Sequence, residues 1–110
     1  MLMDTIDIPK EHLQLIMQIL QSCLKDVDCA VYAFGSRVKQ SAKKFSDLDL
    51  AIDCCGKKAS DSVLLKIQYE FEESCLPFKV DIIDLNAISP AFYDTIKNDL
   101  APLTIDFTSN

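Results

Sequence analysis

Glycine and proline are scarce in this chain, two and four respectively in 110 residues. That scarcity argues against repeats and disorder, both of which lean on those residues. Long apolar runs are missing too: none approaches the roughly 20 residues that span a bilayer. The opening MLMDTIDIPKEH carries acidic residues where a secretory signal would carry basic ones. There is one histidine, His12, and the five cysteines (Cys23, Cys29, Cys54, Cys55, Cys75) include no C-x-x-C pair. Such a set makes a poor zinc site, and His12 reads as an ordinary rim residue. An odd cysteine count without spacing motifs predicts free thiols in a reducing, cytoplasmic setting, with no redox role for Cys54-Cys55. Basic charge is also short, with 11 Lys and Arg against 17 Asp and Glu for a net charge of −6. This balance argues against direct nucleic-acid binding, which needs a basic footprint. Nucleotides remain open, because a bound divalent metal supplies positive charge locally. The longest basic cluster, Lys39, Lys43 and Lys44, is short and lies close to Gly35-Ser36.

What is present is the makeup of one globular domain spanning 1–110, with 49% hydrophobic and 25% charged residues. A chain of this length buries roughly 65% of its unfolded surface, enough for a single core. The spacing predicts a helix over 9–25, with Pro9 in its first turn and Leu13, Ile16, Met17, Leu20 and Leu24 on one face. CAVYAF, 29–34, reads as a central strand. A short helix is expected from Ser36 to about Lys43. DLDLAID, 47–53, alternates, with Leu48, Leu50 and Ile52 on one face and Asp47, Asp49, Ala51 and Asp53 on the other. Ser60 caps a helix to about Ser74 that turns Val63, Leu64, Ile67 and Phe71 inward. FKVDIID, 78–84, is a third strand. Ser89-Pro90 opens a helix to about Leu100 on Phe92, Tyr93, Ile96 and Leu100. LTIDF, 103–107, reads as a weak edge strand or a partner contact. The fold class is α+β, a small mixed sheet covered by helices.

Asp47 and Asp49 pose the functional question. Two residues apart on a strand they share a face, about 6.6 Å apart along the backbone. Like charges so placed raise each other's pKa unless a cation intervenes. Mg²⁺ is such a cation, held by one or two carboxylates together with water and phosphate oxygens. A solvated strand face is the bland alternative for an isolated D-x-D. Asp81, whose side chain points opposite to Val80 and Ile82, joins the same group if its strand lies beside 47–53. Three carboxylates suit a two-metal site for phosphoryl displacement. Gly35 at a strand end permits close approach of a ligand, and Ser36 offers a hydroxyl and N–H groups to a phosphate. Asp53 and Asp84 read as structural strand-end residues.

The words AFGSR, SDLDLAID, LPFKVDIIDLN and ISPAF, with G-S about ten residues before D-x-D and a distant third Asp, resemble the DNA polymerase β-like nucleotidyltransferase superfamily. Within it they are similar to the minimal nucleotidyltransferases encoded beside HEPN-domain proteins, over Pro9 to Leu100. The resemblance implies that Gly35, Ser36 and Arg37 bind the triphosphate of ATP. It implies that Asp47, Asp49 and Asp81 hold two Mg²⁺ ions, with Mn²⁺ as a substitute, and that Asp81 helps activate the attacking hydroxyl. It further implies transfer of AMP to a tyrosine of a HEPN-type RNase toxin, and so an antitoxin acting in a hetero-oligomer. Gln40 stands where many relatives carry a second glycine. A non-catalytic subunit that masks its partner by contact, with or without nucleotide, is the competing reading.

Overall fold

The computed structural model describes residues 8–25, 27–35 and 47–103. Ser36, Arg37 and Gln40, the helix expected after Gly35, and most of LTIDF lie outside the described residues. The chain order is α1 (Lys10–Cys23), β1 (Ala30–Phe34), β2 (Leu48–Asp53), α2 (Asp61–Glu72), β3 (Val80–Asp84), α3 (Pro90–Ile96) and β4 (Ala101–Leu103). The strands lie in the order β3-β2-β1-β4. β1 runs antiparallel to both β2 and β4, whereas β2 and β3 are parallel. The parallel pair follows from α2, since a parallel neighbour requires a crossover and a helix is the usual one. The sheet is therefore mixed, as expected.

The apolar stripe of α1 and that of α2 pack on one face of the sheet. Ile16, Leu20 and Leu24 from the first, Ile67 and Phe71 from the second, and Val31, Leu48, Leu50, Ile52 and Val80 from the strands make the main core. Fully burying an aliphatic side chain contributes about 1.5–3 kcal/mol, so this layer fixes which way each strand faces. Pro9 sits at the N-cap of α1, one position before the first turn expected for it, and its carbonyl accepts from the Leu13 amide at 3.0 Å. Ser60 caps α2 as expected, its hydroxyl accepting from the Val63 amide at 3.3 Å.

α3 covers the other face. Its Ile96 joins Phe34 and Ala51 in a second, smaller core, with Ile83, Leu85, Ile88 and Leu100 around it. The helix is shorter than the sequence suggests, ending at Ile96, and Phe92 and Tyr93 are both 41% exposed rather than turned inward. Seven residues give fewer than two turns beyond the cap, room for one anchor on the sheet. β4 begins before the segment expected: Ala101, Pro102 and Leu103 pair with β1. Pro102 is tolerated there because β4 is an edge.

Both strand-end aspartates hold the backbone. Asp84, 4% exposed, accepts from the Ala59 amide at 2.6 Å and the Asn86 amide at 2.9 Å. Asp53 accepts from the Asn86 side-chain amide at 2.8 Å and the Gly56 amide at 2.9 Å, bonds that hold its carboxyl below the usual carboxylate range. Cys55 and Gly56 both have positive φ and form the two-residue turn that follows β2, closed by the Lys57 amide donating to Cys54 O at 3.1 Å.

The cysteines depart from expectation. Cys29 and Cys54 form a disulfide, while Cys23, Cys55 and Cys75 are free. Its origin is the β1–β2 register: Ala30 faces Asp53, so the next residue outward on each strand is a cysteine. The chain-entropy model gives about 3.5 kcal/mol for a loop of 25 residues. Reductant is accordingly expected to lower the urea-unfolding midpoint, and an equal midpoint with and without reductant would refute that contribution.

Candidate active site

The end of β1 and the starts of β2 and β3 meet at one end of the sheet. Phe34 is the register partner of Asp49, and Asp49 is the register partner of Asp81. Adjacent strands lie about 4.8 Å apart, so the two carboxylates leave neighbouring backbones on the same face. That face is opposite the main core, because Leu48, Leu50 and Val80 occupy the intervening positions and are buried. Asp47, exposed, precedes β2 on the same side as Asp49. The third strand thus lies beside 47–53, as the sequence reading required.

Gly35 closes the site from the β1 side. Its φ is +86°, and a Cβ built there would lie 2.5 Å from Oδ2 of Asp49. Both facts demand glycine: the left-handed conformation penalises a side chain, and the space a side chain would need holds the carboxylate. Gly35 and Asp49 are therefore fitted to each other.

Asp49 is half-buried, and its carboxyl is pushed up from the ordinary aspartate range, first by burial and then by the charges of Asp81 and Asp47. Burial disfavours the charged form, and the neighbouring like charges add to that effect. Among the described residues, no three acidic, histidine or cysteine side chains close into a ready metal cage. The donors nonetheless suit a hard divalent cation, since such ions take one or two carboxylates and complete their shell with water and phosphate oxygens. Asp81 already has one cationic neighbour, the Lys79 ammonium 3.4 Å from its Oδ1.

Supporting contacts hold β3 in place. Its outer edge is covered at Val80, whose carbonyl accepts from Gln68 Nε2 of α2 at 2.8 Å. Neither Gln68 nor Lys79 was singled out from the sequence. Alternation within FKVDIID places Lys79 on the face of Asp81, a signal that was there to be read; Gln68 has no comparable signal, because its role depends on which edge of β3 is left free. His12, half-buried, packs edge-on against Phe78 with ring centroids 5.8 Å apart, away from the carboxylates and consistent with a structural residue. Among the described residues no helix is long and apolar enough to cross a membrane.

Comparison with known proteins agrees with this geometry. The family model described as polymerase beta, nucleotidyltransferase matches residues 14–103. A Haemophilus influenzae protein named probable protein adenylyltransferase MntA is 41% identical over 93 residues, covering 84% of this chain and 78% of that protein. Among solved structures, a toxin-antitoxin complex with AMP-PNP is similar in fold at a TM-score of 0.63 and 19% identity, covering 82% of this chain and 73% of the other. A toxin-antitoxin MntA-HepT complex matches at a TM-score of 0.56 and 20% identity, over 84% and 73% of the two chains. With its family match running from α1 to β4, the chain belongs to the polymerase β-type nucleotidyltransferases.

Proposed function

We propose that this chain is a protein adenylyltransferase that moves AMP from ATP to a hydroxyl of a HEPN-type toxin and so serves as its antitoxin. The observation that carries the reading is the placement of Asp49 beside Asp81, with Gly35 fitted against the Asp49 carboxylate. The name of the H. influenzae relative and the AMP-PNP in a toxin-antitoxin complex of the same fold support the choice of adenylyl transfer and of partner.

In this reading Asp47 and Asp49 hold divalent ions, Mg²⁺ by preference, with Asp81 completing the ligand set. Bound there, the ions supply positive charge to the triphosphate and to the charge that develops in transfer. The chain's own residues do the rest. Gly35 leaves the backbone bare where the triphosphate approaches, and Ser36 and Arg37 bind its phosphate oxygens. Asp81, at the rim of the group, orients the acceptor hydroxyl and takes its proton. The hydroxyl oxygen bonds to the α-phosphorus as the bond from that phosphorus to the bridging oxygen breaks, and pyrophosphate leaves with that oxygen. Such catalysis is positioning and electrostatics, which a shallow rigid sheet face can supply. The chain's net charge of −6 suits contact with a more basic partner.

Intact-mass spectrometry of the HEPN-type partner after incubation with this chain, Mg²⁺ and each nucleoside triphosphate tests the proposal. The expected result is a gain of AMP units on the partner with ATP alone among the four. Neutralisation of the partner with no gain in mass, preserved in an Asp47/Asp49 double asparagine variant, would establish masking by contact instead.

A further inference from the structure

Lys79, just before β3, and Asp81 within it lie two residues apart on the same side and form an ion pair, Nζ to Oδ1 at 3.4 Å. The register places the lysine beside the rest of the acidic group. Val80 faces Leu48, and the Leu48 amide donates to the Lys79 carbonyl at 2.8 Å, so Lys79 adjoins the chain at Asp47. Among the described residues, Lys79 is the cation paired with the carboxylates of this site.

One feature separates this pair from a casual surface contact. Asp81 borders Asp49, which itself borders Asp47, so the lysine stands at the edge of a group of like charges rather than beside a lone carboxylate. The pair is also built to open: the Lys79 side chain is 64% exposed and that of Asp81 41%, and exposed ion pairs hold weakly. A lysine has a flexible four-carbon stem and a compact charge with three donors, so its ammonium can change partners without the backbone moving. The Lys79 carbonyl, meanwhile, stays fixed in the β2–β3 ladder.

We propose that Lys79 is an exchangeable counter-ion of the nucleotide site, holding Asp81 while the site is empty and turning to the triphosphate oxygens when a nucleoside triphosphate enters with its divalent ion. The proposal rests on the nucleotidyltransferase reading of the site given above. No covalent bond changes in this exchange; one ion pair replaces another. Lys79 thereby competes with the divalent ion for Asp81 in the empty site and assists the nucleotide in the filled one. These two roles give effects of opposite sign, which a purely structural lysine does not.

The test compares wild type with Lys79→Met and Lys79→Arg. Mn²⁺ binding is read by electron paramagnetic resonance without nucleotide, and binding of a non-hydrolysable ATP analogue by calorimetry at saturating Mn²⁺. Lys79→Met is expected to bind Mn²⁺ about threefold more tightly, the scale of one exposed ion pair. It is expected to bind the analogue about tenfold more weakly, the scale of one charge-assisted contact. Lys79→Arg keeps the analogue affinity within about twofold of wild type, since either cation meets the phosphates. The exposed side chain makes both variants compatible with the fold, which thermal melting checks. Any other pattern in Lys79→Met, whether no change or both affinities moving together, overturns the role of Lys79 while leaving the site standing. A wild-type chain that takes up neither Mn²⁺ nor the analogue overturns the nucleotide site, and this inference with it.

Discussion

Replacing Asp49 with asparagine is expected to cut nucleotidyl transfer by about 10³-fold, equivalent to about 4 kcal/mol of lost transition-state stabilisation. The same change is expected to make the metal-free protein more stable at neutral pH. Both effects come from one source. Asp49 is half-buried with Asp81 and Asp47 as charged neighbours, and its carboxyl titrates above the ordinary aspartate range. A carboxyl whose folded pKa is raised favours the folded state in its protonated form. That contribution is present below the unfolded pKa and is lost as pH rises through the folded value. At pH 7 wild type therefore bears the whole penalty of ionised Asp49, whereas asparagine bears none. Urea midpoints of the two proteins should differ most near pH 7 and draw together as the pH falls toward 4. Adding Mg²⁺ should then stabilise wild type and leave the variant unmoved, by simple linkage. A variant that is less stable than wild type without metal would show that Asp49 is a structural carboxylate, and full transfer activity would remove it from the site.

Gly35→Ala is expected to reduce transfer by at least about a hundredfold, the effect of displacing a reacting group by about 1 Å. The φ of +86° costs a side chain about 1–2 kcal/mol in the left-handed region. The larger consequence is local. The new methyl would stand 2.5 Å from Oδ2 of Asp49, so the carboxylate must turn away from the position it shares with Asp81. Gly56 provides the control. Its φ is +77°, yet a Cβ there meets nothing within 4 Å. Gly56→Ala should lose similar stability in urea and keep its transfer activity. Equal activity in the two variants would mean that Gly35 serves the turn alone.

Much of this was legible in the residues. DLDLAID alternates, and the structure buries Leu48, Leu50 and Ile52 completely while turning Asp49 to the other face. Ser60 and Ser89 cap the helices they were expected to cap, and the Asp53 and Asp84 side chains tie down loops. What escaped was long-range or cooperative. Ala51, grouped by alternation with the aspartates, is fully buried because α3 sits on it, and nothing local announces that helix's landing place. Phe92 and Tyr93 continue an apolar pattern that the short α3 does not use. Pro102 disguised β4, since a proline weakens any strand reading until the edge position is known. The Cys29–Cys54 bond could be foreseen only from the register of β1 against β2. Of the residues expected at the site, Gly35, Asp47, Asp49 and Asp81 come together at one end of the sheet and Ser36 and Arg37 fall outside the described residues, while Lys79, paired with Asp81, was not among those singled out.

Gly35, Ser36, Arg37, Asp47 and Asp49 all lie between Cys29 and Cys54 in the chain. In the oxidised protein they thus belong to a closed covalent ring, while Asp81 and Lys79 lie outside it. One peptide-bond cut anywhere in that ring releases no fragment: both cut ends remain tethered, and β1 and β2 stay in one molecule. Proteolytic nicking would therefore add only the elements of water to the molecule, and the two pieces would separate only once the sulfur link is opened.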